Sequence, residues 1–168
     1  MKQEEKKKKA AQKAIDKLAP FLHKDIVLGI GTGSTVNYFI EKLMAGEFKL
    51  KGLICSSETS KQNLTRSKNS ILELNEVHKI DFYIDGADEF NERFELIKGG
   101  GGALTREKIL ANSSEKFICI VDDSKQSKIL GEFPLPIEII EEARSAISRE
   151  MIKMGGRPVY RNKFITDN

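Results

Sequence analysis

Short apolar, β-branched runs recur along this chain, and each ends on a cluster of glycine or small polar residues. The runs cover residues 25–30, 52–56, 80–84, 94–97 and 117–121; the clusters cover 31–35, 56–59, 85–89, 98–102 and 122–125. Most of the runs are separated by segments able to form helices, so the pattern predicts an α/β fold with a largely parallel sheet and helices on its faces. Ligands in such sheets gather beyond the carboxyl ends of the strands, where these clusters fall. A shared cleft would explain the placement.

The richest cluster is the stretch 98–108, Lys-Gly-Gly-Gly-Gly-Ala-Leu-Thr-Arg-Glu-Lys. Backbone without Cβ atoms can approach a hydroxyl-rich or anionic ligand closely, and the amides that open the next helix point at it. Lys98 and Glu107 then flank one ligand-sized gap. Taken alone, a glycine run reads equally well as a flexible loop with two solvated charges. The second cluster, Gly31-Thr32-Gly33-Ser34-Thr35, precedes a segment where Val36, Phe39, Ile40, Leu43 and Met44 recur at helical intervals, with Gly46 as the stop. Hydroxyls and amides at a helix N-terminus favour phosphate. The cluster is neither a Walker A loop nor a GxGxxG fingerprint.

Asp85-Gly86-Ala87-Asp88-Glu89 brings three carboxylates close together in sequence. Such a trio can bind a divalent cation, take part in acid–base chemistry, or form a polar turn. Neither histidine is near, although carboxylates alone would suit Mg²⁺. Two glycine-rich turns, a carboxylate pair, a lysine and a glutamate together meet the needs of proton transfer next to a carbonyl. A base must remove a weakly acidic C–H proton, and a cation must stabilise the oxygen that gains charge. Glu107 fits the first role and Lys98 the second.

The remaining features narrow the class. Residues 3–18 read as a helix, with Ala10, Ala14, Ile15 and Leu18 on its apolar face and the lysine run 6–9 on solvated faces. The net charge of +3, from 28 basic and 25 acidic side chains, does not predict a general nucleic-acid binder. Cys55 and Cys119 lie in apolar runs and outside any metal or CxxC spacing, so they read as small core residues in a reducing cytoplasm. No run approaches the roughly 18 apolar residues of a spanning helix, and the charged N-terminus lacks a signal-peptide core. Pro134 and Pro136 mark a boundary, followed by an amphipathic helix over 139–154 and two short strands at 158–160 and 164–165. A tail that small must pack on the main domain or on another chain.

Read as an ordered set, residues 29–35, 85–89, 98–108, 117–120 and 124–126 resemble type A ribose-5-phosphate isomerase, and 130–136, 155–158 and 166–168 continue the likeness. The resemblance implies a Rossmann-like three-layer domain over 1–130 and part of a small ferredoxin-like α+β subdomain over 131–168. The family pattern continues beyond the position of Asn168 with the rest of that subdomain and a strand returning to the main sheet. It further implies a cytoplasmic homodimer or higher homo-oligomer of the pentose phosphate pathway that needs no metal or other cofactor. The implied partner is a small sugar phosphate, with neither a nucleic acid nor a membrane expected. Ribose 5-phosphate and ribulose 5-phosphate would interconvert through a cis-enediolate, with Glu107 as the base and Lys98 steadying the enediolate oxygens. Asp85 and Asp88 would bind sugar hydroxyls and assist ring opening, with Gly86 and Ala87 between them. Thr32, Gly33, Ser34 and Thr35, then Gly99, Gly100 and Gly101, match the ligand-binding turns. Lys125 matches a ligand-binding lysine, as Lys8 or Lys9 does from the first helix. Related folds serve as ligand sensors or coenzyme A transferases; a base beside the reacting carbons argues for the isomerase.

Overall fold

The computed structural model describes residues 2–168. Its strands are β1 (Val27–Ile30), β2 (Gly52–Cys55), β3 (Ile80–Asp85), β4 (Glu89–Phe90), β5 (Leu96–Ile97) and β6 (Ser114–Cys119). Its helices are α1 (Gln3–Leu18), α2 (Ser34–Ala45), α3 (Glu58–Asn63), α4 (Leu104–Asn112) and α5 (Arg144–Lys153). The main sheet has four strands in the order β2-β1-β3-β6, and every pair is parallel. Chain order leaves β1 towards β2 on one side and finds β3 on the other. The strand order therefore reverses direction at β1 and β3, which opens a crevice at their carboxyl ends.

Side chains alternate across the sheet and build a core on each face. Leu28 and Ile30 of β1, Leu53 of β2, and Phe82 and Ile84 of β3 pack with Ala11, Ala14, Ile15 and Leu18 of α1 and with Val36, Phe39, Ile40 and Leu43 of α2. On the opposite face Val27, Ile54, Ile80 and Tyr83 pack with Leu110 of α4, together with Leu72, Leu74 and Val77. The fold is α/β, in three layers. Helix α1 has the predicted bounds, but its inward stripe runs through Ala11, which is fully buried, whereas Ala10 is only half-buried.

Two expectations about strands need correction. The run 94–97 does not join the parallel sheet. Phe94 has φ 60° in a tight turn organised by the Asn91 side chain, and only β5 remains extended, paired antiparallel with β4. The run predicted at 117–121 is β6, which starts earlier because Ile80 pairs with Ser114. Residues 158–160 and 164–165 form no strands, since no neighbouring strand among the described residues offers them a ladder.

The tail does not pack as one body on the sheet. Helix α5 contributes no buried residue, and Ile152 and Met154 stand largely exposed. Its end does return to the glycine-rich loop: the Asp167 amide donates to the Gly102 carbonyl at 3.1 Å and Arg161 donates to the Gly100 carbonyl at 3.0 Å. Glu138 accepts from Thr105 and Asn168, tying residues 138 and 168 to the start of α4.

Gly31 links fold to crevice. Its amide donates to the Ile84 carbonyl at 2.7 Å, and a Cβ built there would lie 2.0 Å from Asp85 Oδ1 and 2.1 Å from its Cγ. Asp85 is fully buried, so neither partner can yield. Gly31→Ala is expected to cost about 2 kcal/mol or more of stability through overpacking, read as a lower urea midpoint. An unchanged midpoint would show that β1 and β3 separate more easily than this contact allows.

Candidate active site

Turns from several strand ends meet in one cavity of about 240 Å³, lined by Thr32, Gly33, Ser34 and Thr35, by Gly86, Ala87 and Asp88, and by Lys98, Gly99, Gly100, Gly101, Glu107 and Lys125. The volume is below the roughly 300–1,000 Å³ of drug-sized ligand sites, which suits a small, polar metabolite better than a dinucleotide. Four of the five polar clusters predicted from sequence contribute residues to it. The cluster 56–59 does not: Ser57 caps α3 through the Ser60 amide, and Ser60 Oγ donates to the Gly31 carbonyl, so these hydroxyls support the first turn from behind.

The first turn ends at Gly33, whose φ of 113° suits glycine and lets the chain enter α2 at Ser34. The amides of the first turn of α2 are therefore left for an anion. On the other side, Gly99 and Gly102 bend the loop that leads into α4, and Glu107 projects from its first turn.

Three charged groups form the centre. Lys98 Nζ donates to Asp85 Oδ2 at 2.9 Å and to the Gly86 carbonyl at 2.5 Å, and lies 3.2 Å from Glu107 Oε2. The contact with Glu107 lies outside hydrogen-bond geometry, so Oε2 has a cationic neighbour but no hydrogen bond. Asp85 is saturated: Oδ1 accepts from the Thr32 amide at 3.0 Å and the Gly86 amide at 2.7 Å, and Oδ2 accepts from Tyr83 Oη at 2.6 Å as well as from Lys98. Asp85 thus lies beneath the cavity and not on its wall, unlike Asp88. Asp88 Oδ2 accepts from the Gly100 amide at 2.8 Å, while Glu89 turns away to residues 127–133. The three carboxylates of 85–89 therefore diverge.

Electrostatics separate the roles. Glu107 is 4% exposed, and burial, reinforced by the charge of Asp85, pushes its pKa up to about 7 despite the opposing pull of Lys98. The helix dipole at the start of α4 also favours the carboxylate, typically by under 1 kcal/mol, so desolvation prevails. Burial alone would push the Lys98 pKa down, but Asp85 and Glu107 more than offset it and hold the ammonium above the ordinary lysine value. The arrangement holds a carboxyl group that can exchange a proton near neutrality beside a fixed cation. Cys55 and Cys119 take no part; burial raises their thiols to about 12 and about 11.

The helix α1 contribution differs from expectation. Gln3 and Lys7 line the cavity, whereas Lys8 sits 5.2 Å from the Tyr38 ring centroid, Lys9 is exposed and Lys6 pairs with Asp123 at 2.7 Å. Gln3 and Lys7 fall at i and i+4, in line with Ala11, Ala14 and Leu18. That helical spacing was the available signal.

Residues 52–168 match the family described as ribose 5-phosphate isomerase A (phosphoriboisomerase A). Solved structures agree over nearly the whole chain. Ribose 5-phosphate isomerase A from Neisseria gonorrhoeae is 47% identical with a TM-score of 0.92, over 98% of this chain and 72% of that one. The isomerase from Methanocaldococcus jannaschii is 37% identical with a TM-score of 0.85, over 99% and 77%. A D-ribose-5-phosphate isomerase in complex with phospho-erythronic acid is 38% identical with a TM-score of 0.88, over 100% and 76%.

The buried carboxyl can be tested without substrate. A folded-state pKa raised from 4.5 to about 7 means the native protein keeps a proton that the unfolded chain releases within that window. This stabilisation is therefore complete below about 4.5 and is lost as pH rises towards 7. Glu107→Gln should raise stability by about 2 kcal/mol at pH 8 and by much less at pH 5, measured by urea unfolding. Equal effects at both pH values would refute the assignment.

Proposed function

Because the chain belongs to the ribose 5-phosphate isomerase A family and is an isomerase, we propose that it interconverts D-ribose 5-phosphate and D-ribulose 5-phosphate through a cis-enediolate, as a step of the pentose phosphate pathway. The observation that carries this reading is Glu107: a buried carboxyl on the cavity wall, tuned to about pH 7, 3.2 Å from the Lys98 ammonium.

With the sugar in its open form, ionised Glu107 removes the proton from C2 of the aldose, and the electron pair moves to give an enediolate over C1 and C2. Lys98 lies where the oxygen charge grows, so its attraction is stronger in the transition state than with neutral substrate. Glu107 then returns the proton to C1, and a proton passes between the two oxygens to complete the ketose. No net charge or redox equivalent is exchanged. Asp88 keeps one oxygen for a sugar hydroxyl while the other holds Gly100. Asp85, already saturated, anchors Lys98 and the first turn and does not bind the sugar directly.

The phosphate is assigned to Thr32–Thr35 and the N-terminus of α2, with Lys7 and Lys125 supplying charge. Phospho-erythronic acid, which one similar isomerase binds, carries a phosphate and a carboxylate, the charge pattern of a phosphorylated enediolate. Gly99–Gly101 approach the chain of hydroxyls between them. In this reading residues 1–130 form the catalytic domain and 131–168 belong to a second, smaller subdomain, in a cytoplasmic homo-oligomer.

Purified protein should interconvert the two pentose phosphates, and Glu107→Gln should lose about 10²–10⁴-fold in kcat while still binding phospho-erythronic acid. Near-normal turnover in that variant would remove Glu107 from the mechanism. The kcat/KM of the wild-type protein should rise with pH through about 7 as the free enzyme loses the Glu107 proton. A flat profile from pH 5 to 8 would contradict the proposed base.

A further inference from the structure

Glu89 is a buried carboxylate that the chemistry above does not use. It is 3% exposed, and among the described residues no lysine or arginine pairs with it. Its oxygens instead accept hydrogen bonds from Ser127 Oγ, from the Gly131 amide at 3.0 and 3.2 Å, from the Glu132 amide at 3.4 Å and from the Phe133 amide at 3.1 Å. One charged side chain thus gathers the donors of the segment 127–133, and the Ser127 amide adds a bond to the Phe90 carbonyl at 2.9 Å. The segment is a strap fastened to β4.

The fastened strap ends on the cavity's glycine-rich loop. Phe133 lies so close to Gly100 that a Cβ there would be 2.7 Å from the ring Cζ. Gly100 also donates its amide to Asp88. Asp88 and Glu89 are consecutive, so the turn that enters β4 grips this loop directly through Asp88, and the first residue of β4 grips it through Phe133.

We propose that Glu89 is a positioning residue for substrate binding: it holds residues 131–133 so that Phe133 seats Gly100 and fixes the cavity face of the glycine-rich loop. The inference rests on the isomerase reading and on that loop contacting the sugar phosphate. The loop would contact substrate and transition state alike, whereas the Lys98 ammonium is held by Asp85 and the Gly86 carbonyl, and Glu107 is carried by α4. Loosening the strap should therefore weaken binding and leave the proton transfer itself intact.

The test compares Glu89→Gln, Phe133→Ala, Phe133→Leu and the Glu89→Gln/Phe133→Ala double variant in the full chain. A neutral amide cannot accept all the donors that meet at Glu89, so Glu89→Gln should raise KM for ribose 5-phosphate about 10-fold with kcat within about 2-fold of wild type. Phe133→Ala, at a half-buried site that should not unfold the protein, should do the same, and Phe133→Leu should restore most of the loss. The double variant should be no worse than the weaker-binding single, because both changes release the same contact. Calorimetric binding of phospho-erythronic acid should weaken about 10-fold in parallel, a readout that stands even if turnover of pentose phosphate is absent and the isomerase reading fails. Folded variants with unchanged KM and unchanged binding would overturn the proposal, as would a fall in kcat at constant KM or multiplying losses in the double variant.

Discussion

The site depends on one ammonium group shared by two buried carboxylates. Lys98 touches Asp85 and Glu107, both almost wholly removed from water, so the cluster carries one negative charge more than it neutralises when both are ionised. Burying such an excess is expensive. The structure reduces the cost unevenly: two amides, a phenol and the lysine converge on Asp85, while Glu107 Oε2 receives no hydrogen bond. The proton that can move therefore belongs to Glu107. Removing Lys98 would leave two like charges in one desolvated place, so the cation matters to the native state before it meets any ligand.

That arrangement explains why the crevice occupies the junction of β1 and β3. Asp85 is the last residue of β3, and Gly31 is the first after β1; the missing Cβ at Gly31 is what lets the carboxylate reach the Thr32 amide. A side chain at Gly31 would drive the first turn away from Asp85 and so from the charged cluster. Tyr83, two residues earlier on the same strand face, joins Asp85 to the second core and stacks on Phe117 of β6 at 5.6 Å between centroids. Packing and chemistry are coupled through that one side chain. A shift of β3 along β1 or β6 would displace Asp85, Lys98 and the first turn together.

Much of this is legible in the amino-acid sequence. The alternation of apolar runs and glycine clusters located the parallel sheet and the crevice, and the stretch 98–108 marked Lys98 and Glu107 as members of one site, although they meet at 3.2 Å and leave no ligand-sized gap between them. The errors have definite causes. Ala10 and Ala11 differ by one residue on a helix, about 100° of rotation, but Lys7 shares the inward stripe with either; it is the reading of the whole run 6–9 as solvated that hides its place on the cavity wall. The runs at 158–160 and 164–165 have strand-like composition, but a strand exists only where a neighbouring edge can pair with it, and 94–97 keeps only Leu96–Ile97 as a strand, paired with β4 and not with the main sheet; local sequence encodes neither outcome. Asp85, Asp88 and Glu89 look alike in sequence; only the turn at 86–88 and the switch into β4 send them to three destinations.

The contrast between Glu89 and Glu107 gives that last point its physical content. Both are glutamates almost fully inside the protein. The donors to Glu89 are the Ser127 hydroxyl and backbone amides, beginning with that of Gly131, and they hold its carboxyl below the usual range. None of those donors changes charge at physiological pH, so Glu89 stays in one state and its effect is mechanical. Around Glu107 the dominant influences are desolvation and the Asp85 charge, which together raise its pKa to about 7 against the pull of Lys98. A ligand that displaces water or adds charge there must shift that balance, whereas none entering the cavity alters the amides at residues 131–133. Burial by itself therefore says little about what a carboxylate does; whether its partners are fixed dipoles or ions separates a fastening from a group able to exchange a proton.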